Sequence, residues 1–171
     1  MIDNSGEILR TYNKDNYTHR AEASGINITA SFESHADLLF LQIMELDGIT
    51  PQDVKNSLSL EANRDMIFNA GESTGMSGSF FFFSHDNRFI IKTLNRGEGK
   101  LLLSILDEMI AHFVSCENKS LIAKIYGLFT INTDVFHGLD VIVMQNTARM
   151  QDSANNKVTF DLKGSSVNRR T

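Results

Sequence analysis

The alternation of hydrophobic and polar positions predicts helices in the segment that begins near residue 34. Residues 34–37 (SHAD) have the pattern of a capping box, and the apolar run LLFLQIMEL after them predicts a helix that ends at residues 47–48. Residues 50–53 (TPQD) are a second capping box with proline at the first helical position, and they predict a short helix over 54–58. Residues 1–34 are polar and weakly patterned, and we treat them as an N-terminal extension without assigned chemistry.

The middle of the chain predicts a strand, a hairpin and a longer helix. Residues 65–69 (DMIFN) form a short apolar run that we predict to be a strand. The aromatic run 80–83, a turn at 86–87 and a second apolar run that carries Lys92 predict a β-hairpin. Apolar residues at spacings of three and four then predict one helix over 98–113. Its apolar stripe comprises Leu102, Ile105, Leu106, Met109 and Phe113.

Extended patterns return in the last third of the chain. Residues 121–131 and 135–145, separated by a turn at 137–138, predict a second antiparallel hairpin. A polar loop over 147–157 then leads to a last predicted strand at 158–162. Together these elements predict an α+β fold, an antiparallel sheet with flanking helices.

The composition indicates a folded intracellular protein. The 171 residues contain one cysteine, and 16 basic against 21 acidic side chains give a formal charge of −5. A single cysteine excludes an internal disulfide framework, and no apolar run approaches the roughly 20 residues that span a bilayer. We therefore expect a cytoplasmic protein. The acidic charge gives no reason to expect nucleic acid as a partner, and the five histidines lack metal-ligand spacing, so no metal site is predicted.

A glycine-bearing segment, residues 71–78, precedes the first hairpin, and its chemistry suits an anion. Because glycine has no Cβ, Gly71, Gly75 and Gly78 would let backbone N–H groups approach a phosphate closely. Lys92, on the second strand of the hairpin, would supply positive charge for the same anion. Protein-kinase-like folds hold the phosphates of ATP with these parts. The segment lacks the Lys-Ser/Thr ending of a Walker A motif, so an unrelated phosphate-binding protein is the weaker interpretation.

Four segments together resemble the phosphatidylinositol phosphate kinases. They are SGSFFFFSHDNRFIIKT at 77–93, SLIAKIYGLFTI at 120–131, VIVMQN at 141–146 and FDLKGSSVNRR at 160–170. Residues 48–59 are similar to the helical segment that precedes the glycine loop in that family. The resemblance implies that residues 35–171 form the N-terminal, ATP-binding lobe of a lipid kinase domain, and that the sequence stops before the catalytic C-terminal lobe.

The same resemblance implies an activity and its partners. Such a kinase transfers the γ-phosphate of ATP to the inositol ring of a phosphatidylinositol phosphate, giving a bisphosphate, at the cytoplasmic face of membranes. ATP and Mg²⁺ are the implied cofactors; ligands for the metal are expected in the C-terminal lobe, so this chain alone is expected to be inactive. The ring position, 4 or 5, stays open. The alternative is a non-catalytic binding or dimerisation module, since the family also pairs two copies through this lobe.

Two residues take catalytic roles by the resemblance. Lys92, the lysine of the IIKT motif, would contact the phosphates of ATP, whereas alone it would be a strand lysine reaching for water. Glu98 matches the glutamate that kinase folds pair with this lysine. Its alternative role is that of a first-turn glutamate favoured by the helix dipole. Where family members often carry a second acidic residue, this chain has Lys100.

The other nucleotide-binding residues belong to the loop, the hairpin and the hinge. Since side chains alternate along a strand, Ile90 shares a face with Lys92 and would line the adenine pocket. The hinge would present backbone groups to adenine, while Gly71 and Gly75 could equally be plain turn glycines. The resemblance assigns the nucleotide to Gly75, Ser77, Gly78, Ser79, Ile90, Lys92, Met144, Gln145 and Asn146.

The DLKGS motif and the residues after it would border the lipid headgroup. In the family this segment lies near the headgroup phosphates, so the resemblance assigns the substrate to Asp161, Lys163, Arg169 and Arg170. Positive charge near an anionic bilayer is worth about 1 kcal/mol per residue. The alternatives are a solvated basic tail for Arg170 and a structural ion pair for Asp161.

Overall fold

The computed structural model describes residues 16–23, 26–69, 79–95, 97–134 and 137–149, and these ranges contain six strands and five helices. The strands are β1 (Asn16–Ala23), β2 (Ile26–His35), β3 (Phe81–Phe83), β4 (Phe89–Thr93), β5 (Ile125–Thr133) and β6 (Leu139–Gln145). The helices are α1 (Asp37–Leu46), α2 (Pro51–Ser57), α3 (Leu60–Asn69), α4 (Glu98–Ser104) and α5 (Leu106–Ser115).

All six strands join one sheet in the order β1-β2-β5-β6-β4-β3. Every neighbouring pair is antiparallel, so the predicted α+β fold with an antiparallel sheet is confirmed. Both predicted hairpins are present, as β3–β4 and β5–β6. The β5–β6 turn includes Gly138 at φ 68°, a backbone conformation that glycine adopts without a steric penalty.

The hydrophobic core lies between the helices and the central strands. Phe40 and Ile43 of α1 and Phe113 of α5 are fully buried, and α1 contacts both α5 and β5. The core cluster also takes Leu102, Leu106, Tyr126, Leu128, Ile142 and Val143. Its apolar contacts fix the sheet strands that carry the predicted site.

The N-terminal part of the sheet is built from a segment to which the pattern assigned no structure. β2 runs across the boundary predicted at residue 34 and pairs with β5, from Ala30 opposite Thr133 to His35 opposite Leu128. This pairing changes the start of α1. The predicted capping box at 34–37 is wrong, because Ser34 lies in β2 and the N-cap is Ala36, at φ 53° and without a side-chain cap. The helix itself is confirmed.

Two other predictions about helices need correction. Residues 65–69, predicted as a strand, belong to α3, because the short apolar run continues a helix that begins at Leu60. The single helix predicted over 98–113 is two helices, since Ile105 ends α4 and precedes α5 with φ −109° and ψ 5°. Ile105 was placed on the apolar stripe, yet it is 42% exposed. By contrast, the capping box at Thr50 and Asp53 is confirmed.

Candidate functional site

Lys92 lies on β4, in the interior of the sheet rather than at its edge. It pairs with Phe81 of β3 on one side and with Ile142 of β6 on the other. Its side chain is partly buried, and its ammonium lies 5.9 Å from the centre of the Phe81 ring. Ile90, two residues earlier, pairs with Met144. Three of the predicted nucleotide-binding residues, Ile90, Lys92 and Met144, therefore follow one alternating face of the sheet.

Ser79 lies just before β3 and is 4% exposed. The backbone pairing continues past the strand to Phe80, whose carbonyl accepts a hydrogen bond from the Thr93 N–H at 3.0 Å. Ser79 thus adjoins the end of β4 that carries Lys92. Its buried hydroxyl has no hydrogen-bond partner among the residues that the structure describes. Such a group is rare in folded proteins, and a bound ion or water is one explanation for it.

Glu98 is the first residue of α4. Its carboxylate accepts a hydrogen bond from the backbone N–H of Asn95, so it holds the segment that leads into the helix. Within the described residues, no ion pair joins Glu98 to Lys92. Glu98 therefore lies in the first turn of α4, as in its alternative role, and its pairing with Lys92 stays a prediction.

The backbone N–H groups of the predicted hinge are already used inside the protein. Gln145 N–H donates to the Lys124 carbonyl at 2.8 Å, and Asn146 N–H donates to the Arg88 carbonyl at 3.0 Å. The Asn146 side-chain amide also donates to the carbonyl of Asn87, at 2.8 Å. An adenine ring would consequently have to meet other atoms of this segment.

Several predicted site residues lie outside the described residues. In the glycine segment these are Gly71, Gly75, Ser77 and Gly78, and in the lipid-binding segment they are Asp161, Lys163, Arg169 and Arg170. The strand predicted at 158–162 lies outside as well. Their roles stay predictions.

A group of buried polar side chains, which the sequence did not reveal, holds the turn between β3 and β4. We call it the turn clasp: Ser57, Asn63, Ser84 and Asp86. The first three are at most 2% exposed. Asp86 is partly buried; burial alone raises the pKa of its carboxyl, but hydrogen bonds from Ser57, Ser84 and the Arg88 N–H outweigh this and lower the pKa below its usual value. Of the four clasp residues, only Asp86 was indicated by the sequence, as part of the predicted turn at 86–87.

A second polar group, the ion-pair cluster, lies where β5 begins and comprises the buried Lys124 and Tyr126 and the partly buried Asp47 and Asn118. The Lys124 ammonium is 3.1 Å from the Asp47 carboxylate, and the Tyr126 hydroxyl donates to that carboxylate at 2.5 Å. Burial opposes ionisation of Asp47, but the bonds from Tyr126, Asn118 and Lys124 and the charge of Lys124 lower its pKa. Burial, and then Asp47, raise the pKa of Tyr126.

The comparison with known proteins agrees with the resemblance seen in the sequence. A family model described as Phosphatidylinositol-4-phosphate 5-Kinase matches residues 62–171. The chain belongs to this family. It is 34% identical over 138 residues to a phosphatidylinositol 4-phosphate 5-kinase of Schizosaccharomyces pombe, covering 81% of this chain and 18% of that protein.

Two other relatives in the family are similar over the same region. The human phosphatidylinositol 4-phosphate 5-kinase type-1 alpha is 32% identical over 139 residues, which cover 81% of this chain and 23% of that protein. A probable phosphatidylinositol phosphate kinase of Dictyostelium discoideum is 32% identical over 160 residues, covering 89% of this chain and 22% of that protein. The chain therefore spans about a fifth of the length of these relatives. No helix in the described ranges is long and apolar enough to cross a membrane.

Proposed function

We propose that this chain is the nucleotide-binding part of a lipid kinase that transfers the γ-phosphate of ATP to the inositol ring of a phosphatidylinositol phosphate. Membership of the phosphatidylinositol-4-phosphate 5-kinase family supports the reaction class. The relatives' names specify phosphatidylinositol 4-phosphate and the 5-position, and we propose the same substrate here. The observation that carries the proposal is the buried hydroxyl of Ser79, which has no hydrogen-bond partner within the described ranges and lies beside the strand of Lys92.

That hydroxyl suits a phosphate. A buried polar group without a partner costs about 1–3 kcal/mol, and a hydrogen bond to a charged group contributes about 1.5–3 kcal/mol. A phosphate oxygen that accepted from Ser79 would remove the cost and add the bond. The Lys92 ammonium would neutralise charge on the same phosphates, because phosphoryl transfer depends mainly on positioning and on charge stabilisation.

The remaining assignments complete the site. Magnesium, bound with ATP, would neutralise further phosphate charge, and we assign no ligand for it in this chain. Glu98 would pair with Lys92 when nucleotide binds. Lys163, Arg169 and Arg170, with Asp161, would contact the lipid headgroup at an anionic membrane surface.

A vesicle assay tests the reaction. The protein expressed from its natural reading frame would be given labelled ATP, magnesium and vesicles that contain phosphatidylinositol 4-phosphate. Lys92→Ala should lower kcat by about a hundredfold or more, as expected for a group that stabilises transition-state charge. Lys100→Ala, which removes an exposed lysine of α4, is the matched control and should leave the rate within about twofold, since it touches no assigned site. Equal rates for the Lys92→Ala variant and the wild type would overturn the assignment.

Ser79→Ala tests the phosphate contact separately. Because its hydroxyl has no partner in the described structure, the substitution should not lower the free energy of unfolding without nucleotide. It should nevertheless weaken ATP binding by about tenfold, which corresponds to about 1.4 kcal/mol. Ser104→Ala, at an exposed hydroxyl of α4 that bonds the Leu101 carbonyl, is the control. If the Ser79→Ala variant binds ATP as well as the wild type, the hydroxyl does not face the phosphates. If the wild type binds no ATP, the alternative function, a non-catalytic binding or dimerisation module, is favoured over a kinase.

A further inference from the structure

The aromatic run 80–83, to which the proposed function gives no role, places one ring directly opposite Lys92. Phe81 pairs with Lys92 across β3 and β4. Because side chains alternate along a strand, the Phe81 ring lies on the face of the sheet that carries Lys92. The rings of Phe80 and Phe82 lie on the other face. Phe81 is therefore the residue of this run that meets Lys92 across the hairpin.

The contact between the two side chains is direct. The Lys92 ammonium lies 5.9 Å from the centre of the Phe81 ring, and the π face of an aromatic ring attracts a cation at distances up to about 6 Å. On its other side Lys92 pairs with Ile142, whose side chain offers no acceptor. Within the described ranges, none of the ion pairs includes Lys92. The Phe81 ring therefore provides the attraction that holds this ammonium in the described part of the chain.

The same face of the hairpin continues to Ser79. The backbone pairing extends beyond β3, because the Thr93 N–H donates to the Phe80 carbonyl at 3.0 Å. Ser79 precedes Phe81 by two residues, so its side chain lies on the side of the hairpin that carries Lys92. Its buried hydroxyl is the group to which we assigned a phosphate. The ring therefore keeps the ammonium on the β3 side of β4, where that hydroxyl also lies, rather than on the β6 side.

We propose that Phe81 is a positioning residue for phosphate binding, whose ring holds the Lys92 ammonium on the β3 side of the sheet before nucleotide binds. The inference rests on the proposed function. Phe81 does not have to touch nucleotide for this role. A lysine has a long, flexible stem, and the freedom that it loses on binding weakens affinity. A lysine that is already held in place loses less freedom when the phosphates bind.

The experiment measures binding of ATP and of adenosine by calorimetry, with the protein expressed from its natural reading frame. Phe81→Leu keeps an apolar side chain on β3 but removes the ring. It should weaken ATP binding by about fivefold, which corresponds to about 1 kcal/mol, because the ammonium is no longer held. Adenosine has no phosphate, and its affinity should change by less than about twofold, or about 0.4 kcal/mol. Phe81→Tyr keeps the ring and should bind ATP as the wild type does.

A second background shows whether Phe81 acts through Lys92. A Lys92→Met protein has no ammonium to hold, so the addition of Phe81→Leu should change its ATP affinity by less than about twofold. Phe80→Leu is the matched control, because this ring is 39% exposed and lies on the other face, and it should leave ATP binding unchanged. A residue that only supports the fold would weaken ATP and adenosine alike and in both backgrounds, and that result would overturn the inference.

The contact itself can be observed by NMR without nucleotide. An aromatic ring shifts the signals of groups above its face upfield, so the ε-methylene signal of Lys92 should lie upfield in the wild type. In Phe81→Leu it should return towards the signals of the exposed lysines, and Phe81→Met replaces this variant if it does not fold. An unchanged Lys92 signal, or ATP binding equal to that of the wild type, would overturn the inference alone. A wild type that shows the shifted signal but binds no ATP would overturn the proposed function.

Discussion

The turn clasp and the ion-pair cluster attach helices to the same sheet with different chemistry. The clasp surrounds one carboxylate, Asp86, with hydroxyl and backbone donors, and Asn63 uses its amide on both sides. The ion-pair cluster places the ammonium of Lys124, which is 4% exposed, against Asp47. The clasp therefore depends on hydrogen bonds from neutral groups, whereas the cluster adds the charge of Lys124 to the hydrogen bonds that Tyr126 and Asn118 donate to Asp47.

This difference determines which substitutions should destabilise each group. A buried ion pair contributes little net stability over an apolar replacement, but removal of one partner leaves an uncompensated charge. A hydrogen-bonded network loses about 1–3 kcal/mol for each donor or acceptor that is left buried and unpaired. The two groups are also neighbours, because the Phe89 ring beside the clasp contacts the Tyr126 ring edge-on at 5.6 Å.

The largest effect should come from Lys124→Met. It leaves the partly buried carboxylate of Asp47 without its cation, and the free energy of unfolding should fall by about 3 kcal/mol, since Tyr126 and Asn118 still donate to that carboxylate. The double variant Asp47→Asn with Lys124→Met should recover much of this loss, because no unpaired charge remains. Urea unfolding followed by circular dichroism measures both. A single variant that costs less than about 1 kcal/mol would mean that water reaches the pair, as in a surface salt bridge.

Asn63→Ala should have the next largest effect, at about 1–3 kcal/mol, because it leaves the His85 N–H without its partner. The carbonyls of Ser57 and Ser59 each lose one bond but keep another, from the His85 ring and from the backbone N–H of residue 63. The same urea titration measures it. Asn56→Ala, at an exposed asparagine of α2 that bonds Gln52, is a control and should stay within about 0.5 kcal/mol. Equal losses for the two asparagines would show that the clasp adds no stability beyond a surface contact.

Much of the fold followed from local signals. Both hairpins, the Thr50 capping box and the helix after residue 36 could be predicted because their determining residues are neighbours in the chain. β2 could not, since its register depends on β5, about 100 residues later in the sequence. The break at Ile105 also escaped, because the helical periodicity of Leu102 and Leu106 continues across it.

In the candidate site, too, local motifs could be recognised in the sequence, whereas tertiary contacts could not. Lys92 and Ser79 were assigned to the site from motifs, since a motif is a local pattern, and their roles stay predictions. The clasp could not, because Asn63 and His85 are 22 residues apart and Ser57 and Asp86 are 29 apart. The burial of the Ser79 hydroxyl likewise depends on the three-dimensional structure. Tertiary contacts, rather than residue types, decided these features.

A smaller effect should follow from Thr50→Ala, which removes the capping box of α2, the helix that ends at Ser57. Loss of such a cap costs about 1 kcal/mol. Amide hydrogen exchange would show which part of the structure loses stability. Amides of the β3–β4 turn should exchange faster, because α2 presents Ser57 to Asp86, while amides near Lys124 should keep their rates. Uniform acceleration across both regions would mean that the clasp and the ion-pair cluster unfold as one unit.

The last prediction concerns how stability depends on pH. The carboxylates of Asp47 and Asp86 should change stability in the same direction and independently of each other. The folded pKa of both Asp47 and Asp86 is lowered, and an aspartate in the unfolded chain titrates near pH 3.9. Each carboxylate therefore contributes stability above about pH 4, and the contribution is lost as pH falls through the folded pKa, because the unfolded chain binds the proton first.

Asp86→Asn and Asp47→Asn should each flatten the acid side of the stability curve, measured by urea unfolding at pH values between about 2 and 6. Because the two groups share no residue, the double variant should equal the sum of the singles within about 0.5 kcal/mol. A larger deviation would show that the contact between Phe89 and Tyr126 couples them. In that case a proton taken up by the ion-pair cluster would also loosen the turn between β3 and β4.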